Sequence, residues 1–203
     1  AILAITLALI SALNHVSGQD PAQSKPLSQS DIADALVSSK VGLPTTNRVL
    51  IKQISERGIG FEIGDGNERE LRSVGATDEL VKAIRESLCD KYSKLAYACG
   101  EEDFKCQIEN YSRALSFHPL DELVLFNRGL ARNKSGDYDA SIEDYTNVLQ
   151  ITPNDSDAWG NRGNSYARKG DYTKALKDYD KAIELAPKDS VAYFNRAMSH
   201  FDT

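Results

Sequence analysis

The sequence has no concentration of Lys and Arg, because its 24 basic residues are outnumbered by 30 acidic ones and lie scattered along the chain. A protein that binds nucleic acid through the phosphates needs a basic patch, so a net charge of −6 without one excludes nucleic acid as a partner. The 27% of charged and 41% of hydrophobic residues are typical of a globular protein.

No apolar run is long enough to span a bilayer comfortably. The longest, AILAITLALISAL at residues 1–13, falls short of the roughly 20 residues that a spanning helix needs. This length suits the core of a signal peptide, and Val16 and Gly18 form a small-x-small cleavage pattern. We predict a signal peptide over residues 1–18 with a clipped start, since neither Met nor a basic segment precedes it. A buried N-terminal helix is the alternative.

Histidine and cysteine are scarce, with three of each in the chain. No histidine has a nucleophile and an orienting acid at the spacing of a catalytic triad, and none lies near the cysteines at zinc-ligand spacing. We therefore predict no catalytic residue, no metal and no cofactor. Cys99 and Cys106 flank a short connection between two helices, where they either form a disulfide or remain buried free thiols.

Glycines are concentrated in one segment, ERGIGFEIGDGNERE at residues 56–70. The glycine spacing misses the dinucleotide fingerprint, no lysine takes the P-loop position, and three acidic residues would repel phosphate. We exclude nucleotide binding and interpret Gly58 as the left-handed stop of a preceding helix. The acidic pairs Glu101-Glu102 and Glu143-Asp144 are interpreted as charges at helix starts and on a solvated face.

The second half of the chain repeats itself every 34 residues, since Pro119, Pro153 and Pro187 are separated by this step. Residues 122–155 and 156–189 are identical at ten of 34 positions. In each unit a glycine, Gly136 or Gly170, separates two amphipathic segments, and the aspartate after it is placed to cap the next helix. Each unit is therefore predicted to be a helical hairpin.

The repeated residues resemble the tetratricopeptide repeat (TPR), on the pattern Trp159, Gly163, Tyr166, Ala175, Tyr179 and Pro187. The resemblance implies an all-α solenoid of helix–turn–helix units over residues 88–203, at about 88–121, 122–155, 156–189 and a partial 190–203. The first helix of the first unit fits the pattern poorly. The last helix carries more apolar surface than a capping helix should, so the protein is expected to continue past Thr203.

Between the signal peptide and the repeats we predict a linker over residues 19–29 and a small helical module over residues 30–87. Its four helices are predicted to start at Ser30, at Thr45 or Thr46, at Asn67 and at Thr77. One small core is predicted from Ile32, Leu36, Val49, Leu50, Ile54, Leu71, Leu80, Val81 and Ile84. The module is similar to one found ahead of repeat or enzyme domains in exported bacterial proteins, a resemblance that implies no chemistry.

In a TPR solenoid, the first helices of the units line a groove that holds extended peptides or partner helices. The resemblance implies a groove of this kind in the present chain. Three asparagines recur at one position of these helices, so the stacked units would place them in a row. Such a row could hold a peptide backbone, because carboxamides both donate and accept hydrogen bonds. We predict that the groove carries Asn127, Asn161, Asn195, Asn164, Lys134 and Arg168. The arginines that follow the three asparagines are predicted to lie between hairpins instead.

The row of asparagines resembles the asparagine ladder in the repeat region of O-linked N-acetylglucosamine transferase. The alternative to a binding role is that Asn-Arg is simply a favoured dipeptide in bacterial repeats of this kind. The carboxylate clamp that holds chaperone C-termini is a poor match, because its lysines are missing and Phe126 and Gly160 occupy one of its positions.

We predict a non-enzymatic scaffold that binds a protein or peptide partner and no small-molecule substrate. It would work outside the cytoplasm, periplasmic or secreted, and would be held at a membrane only through an uncleaved N-terminal segment. The alternative is the substrate-recruiting or regulatory front part of a larger enzyme or envelope machine whose catalytic domain lies beyond Thr203.

Overall fold

The computed structural model describes residues 25–38 and 43–201, which form two compact units divided after Lys91. The first unit contains α1 (Gln29–Val37), α2 (Leu43–Arg57), α3 (Asp65–Ser73) and most of α4 (Asp78–Ala98). The second contains the end of α4 and then α5 (Phe104–Phe117), α6 (Glu122–Ser135), α7 (Tyr138–Ile151), α8 (Ser156–Lys169), α9 (Tyr172–Leu185) and α10 (Ser190–Phe201). Among the described helices, none has the length and apolar character needed to cross a membrane.

The core of the first unit largely follows the prediction. The nine apolar residues expected there are buried, except that Val49 is half-buried. Leu27 joins them, since its N–H donates to Gly58 O at 3.1 Å and its carbonyl accepts from Gly60 N at 2.9 Å. The predicted linker is therefore wrong at its end, where Leu27 is buried. The rest of the linker up to residue 24, and the signal peptide, lie outside the described residues.

The start of α1 differs from the predicted one. Ser28 rather than Ser30 is the N-cap, because its hydroxyl accepts from Asp31 N at 3.1 Å. In return, Asp31 Oδ2 accepts from Ser28 N at 2.8 Å, which completes a capping box two residues earlier than expected.

The other helix starts of this unit give mixed results. Helix α2 begins at Leu43, ahead of the predicted threonines, and α3 begins at Asp65. Asn67 lies inside α3 and accepts from Gly64 N at 2.6 Å, so it secures the helix start from within. The start of α4 is confirmed, with Thr77 Oγ1 accepting from Leu80 N at 3.3 Å. Gly58, with φ of 68°, ends α2 as predicted.

Two hairpins of the second unit make the turn between their helices in the same way. Gly136 and Gly170 end α6 and α8 in the left-handed conformation, with φ of 90° and 88°. Asp137 and Asp171 cap the helices that follow, as their carboxylates accept the backbone N–H three residues on. These two stops and two caps confirm the hairpins predicted from the 34-residue period.

The first hairpin, formed by the end of α4 and by α5, is closed by a disulfide between Cys99 and Cys106. This is one of the two states that the sequence left open, whereas Cys89 is buried and takes no part in a disulfide. Rings also pack in this hairpin, with the centroids of Tyr92 and Phe117 separated by 5.8 Å. Helix α4 has 21 residues against 14 in α5 to α9, which explains its poor fit to the repeat.

Arginine–aspartate pairs join the two helices of a hairpin. Arg128 donates to Asp144 Oδ2 at 3.0 Å and Oδ1 at 2.7 Å, and Arg162 makes the same pair of bonds to Asp178 at 2.8 and 2.9 Å. Arg132 donates a further bond to Asp144 at 2.8 Å. The interpretation of Asp144 as a solvated charge is therefore wrong, because its side chain is 0% exposed.

The same arginines also contact the preceding hairpin. Arg128 Nη1 donates to Ser112 Oγ at 3.1 Å, and Arg162 Nη1 donates to Thr146 Oγ1 at 3.2 Å. Each of these guanidinium groups therefore links three helices, which confirms the predicted position of the arginines between hairpins.

Candidate functional site

The first helices of the hairpins place the candidate residues on one surface. Helix α6 contacts α8, and α8 contacts α10, so equivalent positions of these three helices follow one another. Asn127, Asn161 and Asn195 occupy one such position and are all half-buried. We call this surface the groove.

The asparagines commit their amide nitrogens to the protein itself. Asn161 Nδ2 donates to Asp157 O at 2.9 Å, and Asn127 Nδ2 donates to both Leu123 O and Tyr97 Oη, at 2.9 and 2.7 Å. A backbone oxygen can only accept, so the orientation of these two amides is fixed. No described residue donates to the Oδ1 of either asparagine. The row therefore offers mainly acceptors, whereas the sequence led us to expect both donors and acceptors.

Asn164 links three helices at the groove floor. Its Oδ1 accepts from Tyr179 Oη at 2.8 Å and from Asn195 Nδ2 at 2.9 Å. Burial raises the pKa of Tyr179 to about 12, so its hydroxyl remains protonated well above neutral pH. Asn164 and Asn195 are thereby held in fixed orientations.

A pocket of about 250 Å³ opens between α8 and α10, beside these carboxamides. Gly160 forms part of it, at the position where the neighbouring units have Phe126 and Phe194. A Cβ atom on Gly160 would meet only Ala182 Cβ, at 4.0 Å, so the missing side chain leaves real space. The pocket lining comprises Ser156, Asp157, Gly160, Asn161, Asn164, Asp189, Val191, Ala192 and Asn195.

The structure separates the six residues predicted for the groove. Three of them, Asn161, Asn164 and Asn195, line the pocket. Asn127 lies one hairpin earlier, bonded to Tyr97. Lys134 and Arg168 are exposed in the last turns of α6 and α8 and do not line the pocket.

Sequence reasoning missed the pocket and the exposed apolar residues Leu123 and Val191 near the asparagines. Leu123 and Val191 are 64% and 62% exposed and precede Asn127 and Asn195 by four residues, about one helical turn. Phe194, which precedes Asn195 directly, is 65% exposed. The signal for the pocket was present in the alignment of the units, where glycine replaces a phenylalanine found on both sides. The predicted apolar surface of the last helix is also observed, on Val191, Tyr193, Phe194 and Met198.

Comparisons with known proteins agree with this geometry. Residues 156–189 match the family model described as tetratricopeptide repeat, and residues 129–170 match a second model, described as TPR repeat. The chain contains tetratricopeptide repeats. The predicted all-α TPR fold is thus confirmed, and both matching models describe repeats rather than a catalytic domain.

Several solved TPR structures are similar to this chain. The TPR domain of Sgt2 from Aspergillus fumigatus is 25% identical with a TM-score of 0.52, and the match covers 56% of this chain and 77% of that domain. YrrB, described as a TPR protein with an unusual peptide-binding site, is 21% identical with a TM-score of 0.53, covering 94% and 98%. The second TPR domain of human RPAP3, solved with the HSP70 peptide SGPTIEEVD, is 19% identical with a TM-score of 0.52, covering 59% and 98%. A search of curated protein sequences finds no match.

Proposed function

We propose that the chain is a protein-interaction scaffold whose TPR groove binds an extended segment of a partner protein. The observation that carries this proposal is the row of Asn127, Asn161 and Asn195, which repeats with the units and presents Oδ1 atoms that no described residue uses. The peptide complex of the RPAP3 domain and the peptide-binding site ascribed to YrrB support it, as both have the same fold.

The asparagines of the groove would bind the backbone of the partner segment rather than its side chains. The asparagine Oδ1 atoms accept from peptide N–H groups, and the second amide N–H of Asn161 and of Asn195 is available for peptide carbonyls. Such bonds do not depend on side-chain identity, and each contributes only about 0.5–1.5 kcal/mol net. Specificity must then come from side chains of the segment that contact Leu123, Phe194 and the pocket.

We also propose that the protein works outside the cytoplasm. The Cys99–Cys106 disulfide supports this location, since disulfides persist in oxidising compartments. The apolar run at residues 1–13 supports it independently. The full chain, preceded by Met and a short basic segment and fused ahead of alkaline phosphatase in bacteria, should give an active reporter because residues 1–18 then direct export. An inactive fusion that accumulates in the cytoplasm would contradict the location.

The role of the asparagines can be tested with selected peptides. Short random peptides displayed on phage are selected on the full chain, and the dissociation constants of the enriched peptides are measured. Replacing Asn127, Asn161 and Asn195 together with Ala should raise the dissociation constants at least about tenfold, because at least three backbone bonds are lost. Helicity by circular dichroism should stay unchanged, since these side chains are half-buried.

A matched control is Asn147→Ala, on the second helix of a hairpin and away from the groove row. It should leave the dissociation constants unchanged. If the enriched peptides bind the triple variant as tightly as the original chain, the backbone role of the asparagines is wrong.

A further inference from the structure

The pocket at Gly160 is negatively charged. Of the residues that line it, Asp157 and Asp189 carry a charge and both are acidic, and no Lys or Arg lines it. Neither carboxylate forms an ion pair with a described residue; Asp189 Oδ1 accepts only the backbone N–H of Val191, at 2.9 Å. No described cationic side chain balances the two charges, although each lies at the N-terminal end of a helix, where the backbone favours a negative charge.

The neutral groups of the pocket add further acceptors. Asn161 and Asn195 turn one amide N–H each back to the protein, which leaves their Oδ1 atoms without a donor among the described residues. Asn164 is held in place by Tyr179, so the pocket has a fixed polar wall on α8. A positively charged occupant with several N–H donors satisfies the two carboxylates and the Oδ1 atoms of Asn161 and Asn195. The remaining amide N–H groups of the pocket face the carbonyl groups of the bound segment instead.

The volume decides what kind of occupant fits. At about 250 Å³ the pocket is smaller than the roughly 300–1,000 Å³ of sites for whole small molecules, so it suits a single side chain. Val191 and Ala192 supply apolar surface for an aliphatic stem, as long cationic side chains require. A Glu or Asp side chain of the partner segment would be repelled by the carboxylates of Asp157 and Asp189.

We propose that this pocket binds a Lys or Arg side chain of the segment held in the groove. The proposal rests on the proposed function, since the side chain is delivered by a bound peptide, and it names the chemistry that the peptide must carry. The partner is therefore a protein with a basic residue in an extended segment. We assign this specificity to Gly160, because the neighbouring units carry a phenylalanine, Phe126 or Phe194, at the same position.

The test compares peptide selections on the full chain and on two variants. Asp157→Asn with Asp189→Asn removes the charge and keeps the pocket, including the bond from Val191 N to residue 189. Gly160→Phe fills the pocket and leaves the asparagine row untouched. Peptides enriched on the original chain should share a Lys or Arg at one position, and replacing it with norleucine should weaken binding about tenfold. The double variant should bind the basic and the norleucine peptides alike, and Gly160→Phe should lose the enrichment.

The outcomes distinguish failure of the basic-residue pocket from failure of the proposed scaffold function. Peptides that bind through the asparagine row but share no basic residue, or that share an acidic or apolar one, overturn the basic pocket and leave the scaffold function standing. Retention of the Lys or Arg preference in both variants also overturns it. If no peptide is enriched on the original chain, both proposals fail together.

Discussion

Replacing Asp144 with Ala is expected to lower the free energy of unfolding by about 3–5 kcal/mol, because the change leaves two arginines without their counter-charge. Asp144 is 0% exposed, and the side chains of Arg128 and Arg132 are only 16% and 17% exposed. Their three bonds to Asp144 cannot be replaced fully by water at this depth. Urea unfolding followed by circular dichroism measures the loss.

The exposed pair of Arg196 and Asp180 gives the matched control. It has a similar distance, 2.8 Å, but the side chain of Asp180 is 64% exposed. Solvent screens such a pair, so Asp180→Ala should cost less than about 1 kcal/mol. Equal losses of unfolding free energy in the two variants would show that burial does not determine how strongly these arginine–aspartate pairs stabilise the hairpins.

The second large effect is expected at Gly163. A Cβ atom there would lie 2.8 Å from Tyr179 Cε1 and 2.9 Å from Cδ1, closer than carbon atoms can approach. Tyr179 is 1% exposed and its hydroxyl is bonded to Asn164, so the ring has little freedom to move. Gly163→Ala should therefore destabilise the fold by about 1–3 kcal/mol despite the better helix propensity of Ala. Thermal unfolding measures the change.

Gly160→Ala, one turn earlier in the same helix, should have the opposite sign. Its Cβ atom would meet only Ala182 Cβ at 4.0 Å, an ordinary contact. Ala is favoured over Gly in a helix by about 0.5–1 kcal/mol, so this variant should unfold at a slightly higher temperature. A loss of stability at both positions would indicate that backbone adjustment, rather than the contact with Tyr179, sets the cost at Gly163.

Local signals explain why the hairpins could be predicted in detail. The stop at Gly136 and the cap at Asp137 depend on backbone groups within four residues, so a short stretch of sequence contains all the partners. Helix starts were less certain where several capping residues compete. Ser28 and Ser30 are both good N-caps, and the presence of Asp31 three residues after Ser28 decided between them.

The candidate site was predictable only in part. The period placed Asn127, Asn161 and Asn195 at equivalent positions of three helices, of which α8 contacts both α6 and α10. It did not show that Asn127 bonds to Tyr97 or Asn195 to Asn164, because these partners are 30 and 31 residues away in sequence. The pocket likewise arises from residues of two helices and from one absent side chain, at Gly160.

The sequence by itself determined the repeat, its turns and its caps, since these depend on spacing and on neighbours along the chain. Only the tertiary structure decided which polar groups are buried. Asp144 follows Glu143 in sequence, yet Glu143 is exposed, while Asp144 faces arginines 12 and 16 residues away. Burial is set by what packs against a helix face, and for this protein that information lies in the neighbouring helices.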